Sequence, residues 1–327
     1  MSLKLLSLDD VKQSISMAQA IQAMEDAFIQ LARQQVKLPL RTGITIEEEE
    51  ALSLTMPAYL AQDKTLGLKV VSIFPKNIAK NIPSITGFIM LLDATTGEPK
   101  ALMDAGFLTA LRTGAISGLA THYFAKQEAH QVAILGTGTQ SHTQLEAVAA
   151  VRPITHVSVW SRNINNAQAF AKNIAHQYNV QVHHTVNAAI KQADIICTAT
   201  SSTEPLIELA SLKPHAHINA IGSHTQFMQE ISAEVLSEAV VIVDQVEAVL
   251  QEAGEIIAAI EKQALQKEQI IELGQWLIHK TENYKDTLTV FKSVGLAIQD
   301  VSVAEVVYQN ALHNGLGLTF SLNELKI

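Results

Sequence analysis

One cysteine stands in 327 residues: Cys197, in the apolar stretch "DIICTAT". A single thiol makes no internal disulfide, and its neighbours suggest a buried strand. Positive charge is also short, with 23 lysines and arginines against 32 aspartates and glutamates. The resulting net charge of −9 argues against nucleic acid or an anionic membrane as partner, since neither offers positive charge to an acidic protein. No basic amphipathic run or aromatic cluster provides a local exception. No stretch approaches the roughly 18 uninterrupted apolar residues of a membrane span, and "MSLKLLSLDD" lacks the apolar core of a signal peptide. A cytoplasmic protein is the expectation. Metal-ligand spacing is missing too. There is no HExxH, His183 and His184 are adjacent, and His215-x-His217 lies in a strand-like alternation, so no metal is expected.

What is present is enough chain for two domains, with 48% apolar and 17% charged residues giving an ordinary globular balance. Residues 8–35 carry apolar positions at helical spacing through Ile21, Met24, Phe28 and Leu31, with Ser16 a plausible cap or junction. The pattern then turns to strands, "RTGITI" and "ALSLTM", joined at Glu47 to Glu50, a solvated hairpin tip. "LGLKVVSIF" and "ITGFIMLLDATTGEPKALMD" add further strands, and "GFLTALRTGAISGLATHYFA" reads as helix. Gly114 and Gly118 share one face of that helix, allowing tight packing or room for a ligand beside Arg112.

From residue 130 strands and helices alternate: "QVAILG", "HVSVWSR", "QVHHT", "ADIICTAT", "HINAIG" and "AVVIVD" read as strands, with helices at 140–151 and 165–178 between the early ones. Such alternation predicts an α/β fold with a parallel sheet covered on both faces. The last helix, in "DVSVAEVVYQNALHNGLG", is expected to return to the first domain.

The stretch "QVAILGTGTQSH" places Gly136 and Gly138 after a strand and before a helix, with Ser141 where a third glycine would complete GxGxxG. Gly136 permits the tight turn, and Gly138 keeps a side chain out of a phosphate's path. A small serine can serve the helix–strand packing of the third position. Backbone N–H groups at the helix start would then face a pyrophosphate. At the end of the next strand NAD sites usually carry Asp or Glu, but here the sequence reads Ser161-Arg162-Asn163. Arg162 can pair with a 2′-phosphate while Ser161 and Asn163 donate hydrogen bonds, so NADPH is preferred and NADH remains possible.

The N-terminal region supplies cations from apolar or glycine-containing surroundings: Arg41 at a strand start, Lys69 in "GLKVV" and Arg112 in "TALRTGA". A lysine in an apolar strand is costly without a compensating anion. With a nucleotide domain alongside, the three suggest a substrate that carries a carboxylate. The segments "LPLR", "MPAY", "GLKVV", "LTALRTGA", "GTGTQ", "TATSSTEPL", "INAIGS" and "FKSVGLAIQD" follow in the order and spacing of the ornithine cyclodeaminase/mu-crystallin family, which the chain resembles over nearly its whole length.

The resemblance implies a Rossmann domain, 121–299, inserted into an α+β substrate and dimerisation domain, 1–120 and 300–327, and a homodimer formed through the latter's strands. It implies that Arg41, Lys69 and Arg112 contact the substrate carboxylate, Arg112 counting with the cofactor as well. Ser84 and Ser293 would approach the nicotinamide, Thr139 and Gln140 the pyrophosphate, and Ser161, Arg162 and Asn163 the adenosine ribose. Thr198 and Thr200 would flank the nucleotide. Within this family, cyclodeaminases carry carboxylates and a lysine where this sequence has Leu54, His224 and Met228. Cyclodeamination is therefore disfavoured. The expected activity is reduction of a cyclic imino acid, Δ1-pyrroline-2-carboxylate or Δ1-piperideine-2-carboxylate, with Lys69 or His224 as proton source. The alternatives are ornithine cyclodeamination, an alanine-dehydrogenase-type reaction, and an NADPH-dependent binding protein without catalysis.

Overall fold

Capping serines divide the N-terminal helical stretch in the computed structural model, which describes residues 2–280 and 282–321. Ser7 and Ser16 each build a reciprocal capping box, with Asp10 and Gln19 respectively, and Ser14 closes the first helix. The expected single helix over 8–35 is thus two, α1 (Leu8–Gln13) and α2 (Met17–Ala32).

The chain forms two units, one running to Arg112 and resuming at Leu296, the other spanning Thr113–Gly295. Before α1 the first unit opens with β1 (Ser2–Leu6). After α2 it continues with β2 (Val36–Lys37), β3 (Thr42–Ile46), β4 (Ala51–Leu60), β5 (Thr65–Ile73), β6 (Ile85–Asp93) and β7 (Pro99–Asp104). The glutamates make a short 3₁₀ turn between β3 and β4, where Glu50 takes a left-handed conformation. The helix α3 (Gly106–Phe124) contains the passage from the first unit to the second.

The second unit holds β8 (Gln131–Leu135), α4 (Thr139–Val151), β9 (His156–Trp160), α5 (Ile164–Ile174), β10 (Asn179–Val182), α6 (Val186–Ile190) and β11 (Ile195–Thr198). It continues through β12 (His217–Ala220), α7 (Ala233–Glu238), β13 (Val240–Val243), α8 (Val246–Glu252) and α9 (Gly254–Glu261). It closes with β14 (Ile271–Glu272), α10 (Leu273–His279) and β15 (Thr289–Lys292). The first unit then resumes with α11 (Ala297–His313) and β16 (Leu318–Ser321).

The second unit's sheet is parallel throughout, in the order β10-β9-β8-β11-β12-β15-β13-β14. Alternate residues of each strand feed two apolar cores. Val132, Ile134 and Cys197 pack with α4 and α5 on one face; Ala133, Leu135 and Ile196 pack with α6 and α7 on the other. The strand order reverses between β8 and β11, which makes their C-terminal ends the crevice where open parallel sheets bind ligands. Gly136 follows β8 there, and Thr198 ends β11 with Thr200 two residues beyond.

The first unit's sheet runs β16-β1-β7-β6-β5-β4-β2, with β3 on β4; β1 and β7 are parallel and the other pairs antiparallel. Its inner face lies under α11, with Met56, Lys69, Ile89 and Met103 buried in one register row. The outer face carries an apolar row through Pro57, Leu68, Met90, Leu102, Leu5 and Leu318. The first five are half-buried and Leu318 is 74% exposed. No helix among the described residues is long and apolar enough to cross a membrane.

Candidate active site

Strand alternation points Lys69 inward from β5, so its ammonium is removed from water. The compensating anion is Asp300, in the first turn of α11, with 2.8 Å between Nζ and Oδ2. Arg112 reaches the same carboxylate from α3, Nε donating to Oδ1 at 3.1 Å, and its Nη1 donates to Gln299 at 2.5 Å. Asp300 is fully buried, and Lys69 only 2% exposed. Burial pulls the Lys69 ammonium down to about 8; the Asp300 carboxylate opposes this, while the positive charges of Arg112 and Arg41 add to it. Arg41 lies just before β3, half-buried and within electrostatic reach of Lys69. Two of the three expected cations, Lys69 and Arg112, therefore share one carboxylate, with Arg41 in electrostatic reach, and two positive charges on one negative suit a carboxylate-bearing ligand. Ser84, half-buried before β6, accepts the Phe74 N–H through its carbonyl at 2.7 Å.

In the second unit Gly136 has φ +97°, and a Cβ there would collide with the Ala199 carbonyl, so only glycine fits. The Ser141 hydroxyl, fully buried, donates to the Gly136 carbonyl at 3.0 Å. That bond ties helix to turn where a third glycine would merely pack closely. At Gly138, the N-cap of α4, a Cβ would meet nothing within 4 Å, and no side chain caps the helix. Open space before uncapped N–H groups, with Thr139 exposed and Gln140 half-buried beside it, fits a pyrophosphate. Past β9, Ser161 accepts from the Thr137 hydroxyl at 3.4 Å, Asn163 caps α5 by accepting the Asn165 N–H at 3.0 Å, and Arg162 is exposed.

Thr198 and Thr200, expected to flank the nucleotide, are tied together by one buried carboxylate. Both hydroxyls donate to the buried Glu230 carboxylate at 2.7 Å, which also accepts the backbone N–H groups of Thr200, Gly222 and Ser223 at 2.7, 2.7 and 3.2 Å. Thr198 is fully buried, and its hydroxyl is committed to Glu230, whereas Thr200 is half-buried. Burial raises the Glu230 pKa, against the Lys292 charge and the threonine hydroxyls that lower it. His224 is exposed, and its Nδ1 donates to the Gly222 carbonyl at 2.8 Å, which leaves Nε2 outside that bond. Ser293 is buried, with 4% of its surface exposed, and donates to Asp244 at 2.8 Å. Lys292, fully buried, pairs with Glu255 at 3.0 Å and donates to the Ser223 carbonyl. Sequence reasoning missed Asp300, Glu230, Asp244 and Glu255; the sharpest signal for any of them was the uncompensated Lys69. Among the described residues no three His, Cys, Asp or Glu side chains could hold a metal.

Fold and site define the class: an α/β protein whose Rossmann-type unit is inserted into a mixed-sheet unit that carries a buried cation cluster. The chain belongs to the ornithine cyclodeaminase/mu-crystallin family, whose sequence model matches residues 2–315. It is 35% identical over 318 residues to Delta(1)-pyrroline-2-carboxylate reductase of Bacillus cereus, covering 95% of this chain and 98% of that one. The Thermococcus litoralis Delta(1)-pyrroline-2-carboxylate reductase in complex with NADH and L-proline has the same fold, with TM-score 0.92 and 36% identity over 96% of this chain and 99% of that one. An archaeal alanine dehydrogenase dimer with bound NAD superposes with TM-score 0.91 at 32% identity, over 98% of this chain and 100% of that one.

Proposed function

We propose that this protein reduces Δ1-pyrroline-2-carboxylate or Δ1-piperideine-2-carboxylate to L-proline or L-pipecolate. The observation that carries the reading is the buried Lys69–Asp300–Arg112 cluster with Arg41 beside it. The Arg112 fork and Arg41 hold the carboxylate next to the C=N bond, which orients the ring for attack at the imine carbon. Lys69, acidified to about 8, is a stronger proton donor than an ordinary lysine and delivers the proton to the imine nitrogen. A bound nicotinamide dinucleotide supplies the hydride that completes the two-electron reduction. Thr139, Gln140 and the start of α4 hold its pyrophosphate, and Ser293 serves its nicotinamide end. Arg162, with Ser161 and Asn163, favours a 2′-phosphate and hence NADPH; the similar reductase and dehydrogenase structures contain NADH or NAD. His224 is the second candidate donor, through Nε2, since Nδ1 is bound to the Gly222 carbonyl.

The unit of residues 1–112 and 296–327 binds substrate, and the unit of residues 113–295 binds the dinucleotide. The apolar outer row of the first unit's sheet is the surface a second copy covers, giving the homodimer seen in the archaeal relative. Light scattering on the purified chain should return twice the 35.5 kDa monomer mass.

The test is NADPH and NADH oxidation against five- and six-membered cyclic imino acids, pyruvate with ammonia, and ornithine. Rapid turnover of a cyclic imine supports the reading. Turnover confined to pyruvate with ammonia would make the protein an alanine dehydrogenase, the second reading, which the archaeal relative favours. Ammonia release from ornithine without net cofactor consumption would overturn both.

A further inference from the structure

β13 and β15 are neighbours in the parallel sheet, with Val243 level with Lys292, so Asp244 and Ser293 emerge side by side from the C-terminal ends of their strands. The Asp244 side chain is 1% exposed and saturated by donors. Its Oδ2 accepts the Ser293 hydroxyl at 2.8 Å and the successive backbone N–H groups of Val294 and Gly295 at 2.9 and 3.0 Å; its Oδ1 accepts the Gln245 N–H at 2.8 Å. Gly295 has φ +89°, a conformation natural to glycine, and it turns two consecutive N–H groups onto one oxygen as a backbone anion nest. Burial raises the Asp244 pKa above the ordinary carboxylate value, against the hydrogen bonds from Gly295, Ser293, Gln245 and Val294 that lower it. None of these partners is a cation.

A serine hydroxyl has one proton and two lone pairs. With the proton committed to Asp244, Ser293 Oγ can meet a ligand only as an acceptor. We propose that Asp244 is a positioning residue that fixes Ser293 as a hydrogen-bond acceptor for the carboxamide N–H of the nicotinamide, and so selects one orientation of that amide and its ring. The inference rests on the proposed dinucleotide function and deepens it. Val294 and Gly295 cannot compete as donors, because their N–H groups are already bound. An acceptor at this position rejects the flipped carboxamide, whose oxygen would face oxygen, and with it the ring orientation that the flip would need.

Equilibrium binding tests this without the imine substrate. NADH, ADP-ribose (which lacks the nicotinamide) and 3-acetylpyridine adenine dinucleotide (whose ketone has no N–H) are titrated into wild type, Ser293→Ala and Asp244→Asn. For Ser293→Ala, NADH affinity should fall about tenfold, as expected for one lost hydrogen bond to a well-placed acceptor, while ADP-ribose and the acetylpyridine analogue bind as to wild type. Asp244→Asn should show the same selectivity, and the double variant should lose no more than the larger single loss. Equal loss of all three ligands would make Asp244 a purely structural support. Undiminished NADH affinity in Ser293→Ala would overturn the acceptor role, whatever the fate of the Asp244 variant. Failure of wild type to bind any dinucleotide would instead overturn the function on which the inference rests.

Discussion

The first unit gathers positive groups around one buried carboxylate, whereas the second gathers hydrogen-bond donors around two. Asp300 offers one negative charge to both Lys69 and Arg112, so that pair of cations retains positive charge for an anionic ligand. Glu230 and Asp244 are already surrounded by N–H and O–H groups and keep little capacity for a ligand. A buried charge short of partners is poised for chemistry; one with a full set shapes the loops around it. Substitutions in the first cluster should therefore change rates and substrate affinity, and substitutions in the second should change stability or ligand selectivity.

The largest effect is expected at Lys69. Lys69→Ala removes the proton donor and should lower kcat by about 100- to 10,000-fold, the usual range for general acid catalysis. The wild-type pH profile carries the more specific signature. Only the ammonium donates a proton, so imine reduction should be level below pH 8 and fall as pH rises through about 8. His224→Asn should keep that limb; its disappearance in His224→Asn would transfer the donor role from Lys69 to the loop.

Glu230→Ala should break the contrast from the other side. It strands the hydroxyls of Thr198 and Thr200 and three backbone N–H groups in the interior. A destabilisation of about 3 kcal/mol is expected in urea unfolding, since each stranded donor costs on the order of 1 kcal/mol and water reaches some of them. The surviving folded enzyme should keep the pH limb of Lys69. A shifted limb would show that the two clusters are coupled.

What the sequence made legible followed from local pattern. The central strands β8, β11, β12 and β13 read as short, mostly apolar runs because a doubly covered sheet buries both faces, β9 and β10 toward the edge read by alternation, and Ser16 and Gly136 marked their own junctions. β1, β14, β15 and β16 were not legible: they are short or placed by partners distant in the chain, and Lys292 interrupts the apolar pattern of β15. The three cations could be read because a lysine in an apolar strand is costly. Their counter-ion could not, since an aspartate on a helix ordinarily faces water, and only the packing of α11 on β5 turns Asp300 inward. Glu230 and Asp244 were hidden for the same reason. Their meaning lies in backbone N–H groups that carry no sequence signal.

Arg112→Lys sharpens the first cluster on a smaller scale. Lysine keeps the charge but loses the planar fork that spans Asp300 and Gln299. The KM for the imino acid should rise about tenfold with kcat within about threefold, because one charge-assisted hydrogen bond is lost while Lys69 remains in place. An unchanged KM would leave Arg112 as a structural partner of Asp300 alone.

Arg162 lies outside both clusters and should give the smallest and most selective effect. It is exposed at the end of β9, between Ser161 and Asn163, where a carboxylate would repel a 2′-phosphate and a guanidinium attracts it. An exposed pair with a doubly charged phosphate is stronger than an ordinary surface salt bridge but is still screened by solvent, so a change of about tenfold or less is expected. Arg162→Ala should raise the KM for NADPH by that amount and leave the KM for NADH within about twofold. Screening supplies an internal control: the gap between wild type and variant for NADPH should narrow as salt is raised from about 0.01 M to 1 M, over which the Debye length falls from about 30 Å to 3 Å. Equal losses for the two cofactors, or a gap indifferent to salt, would mean that Arg162 supports the loop and that cofactor choice is made elsewhere.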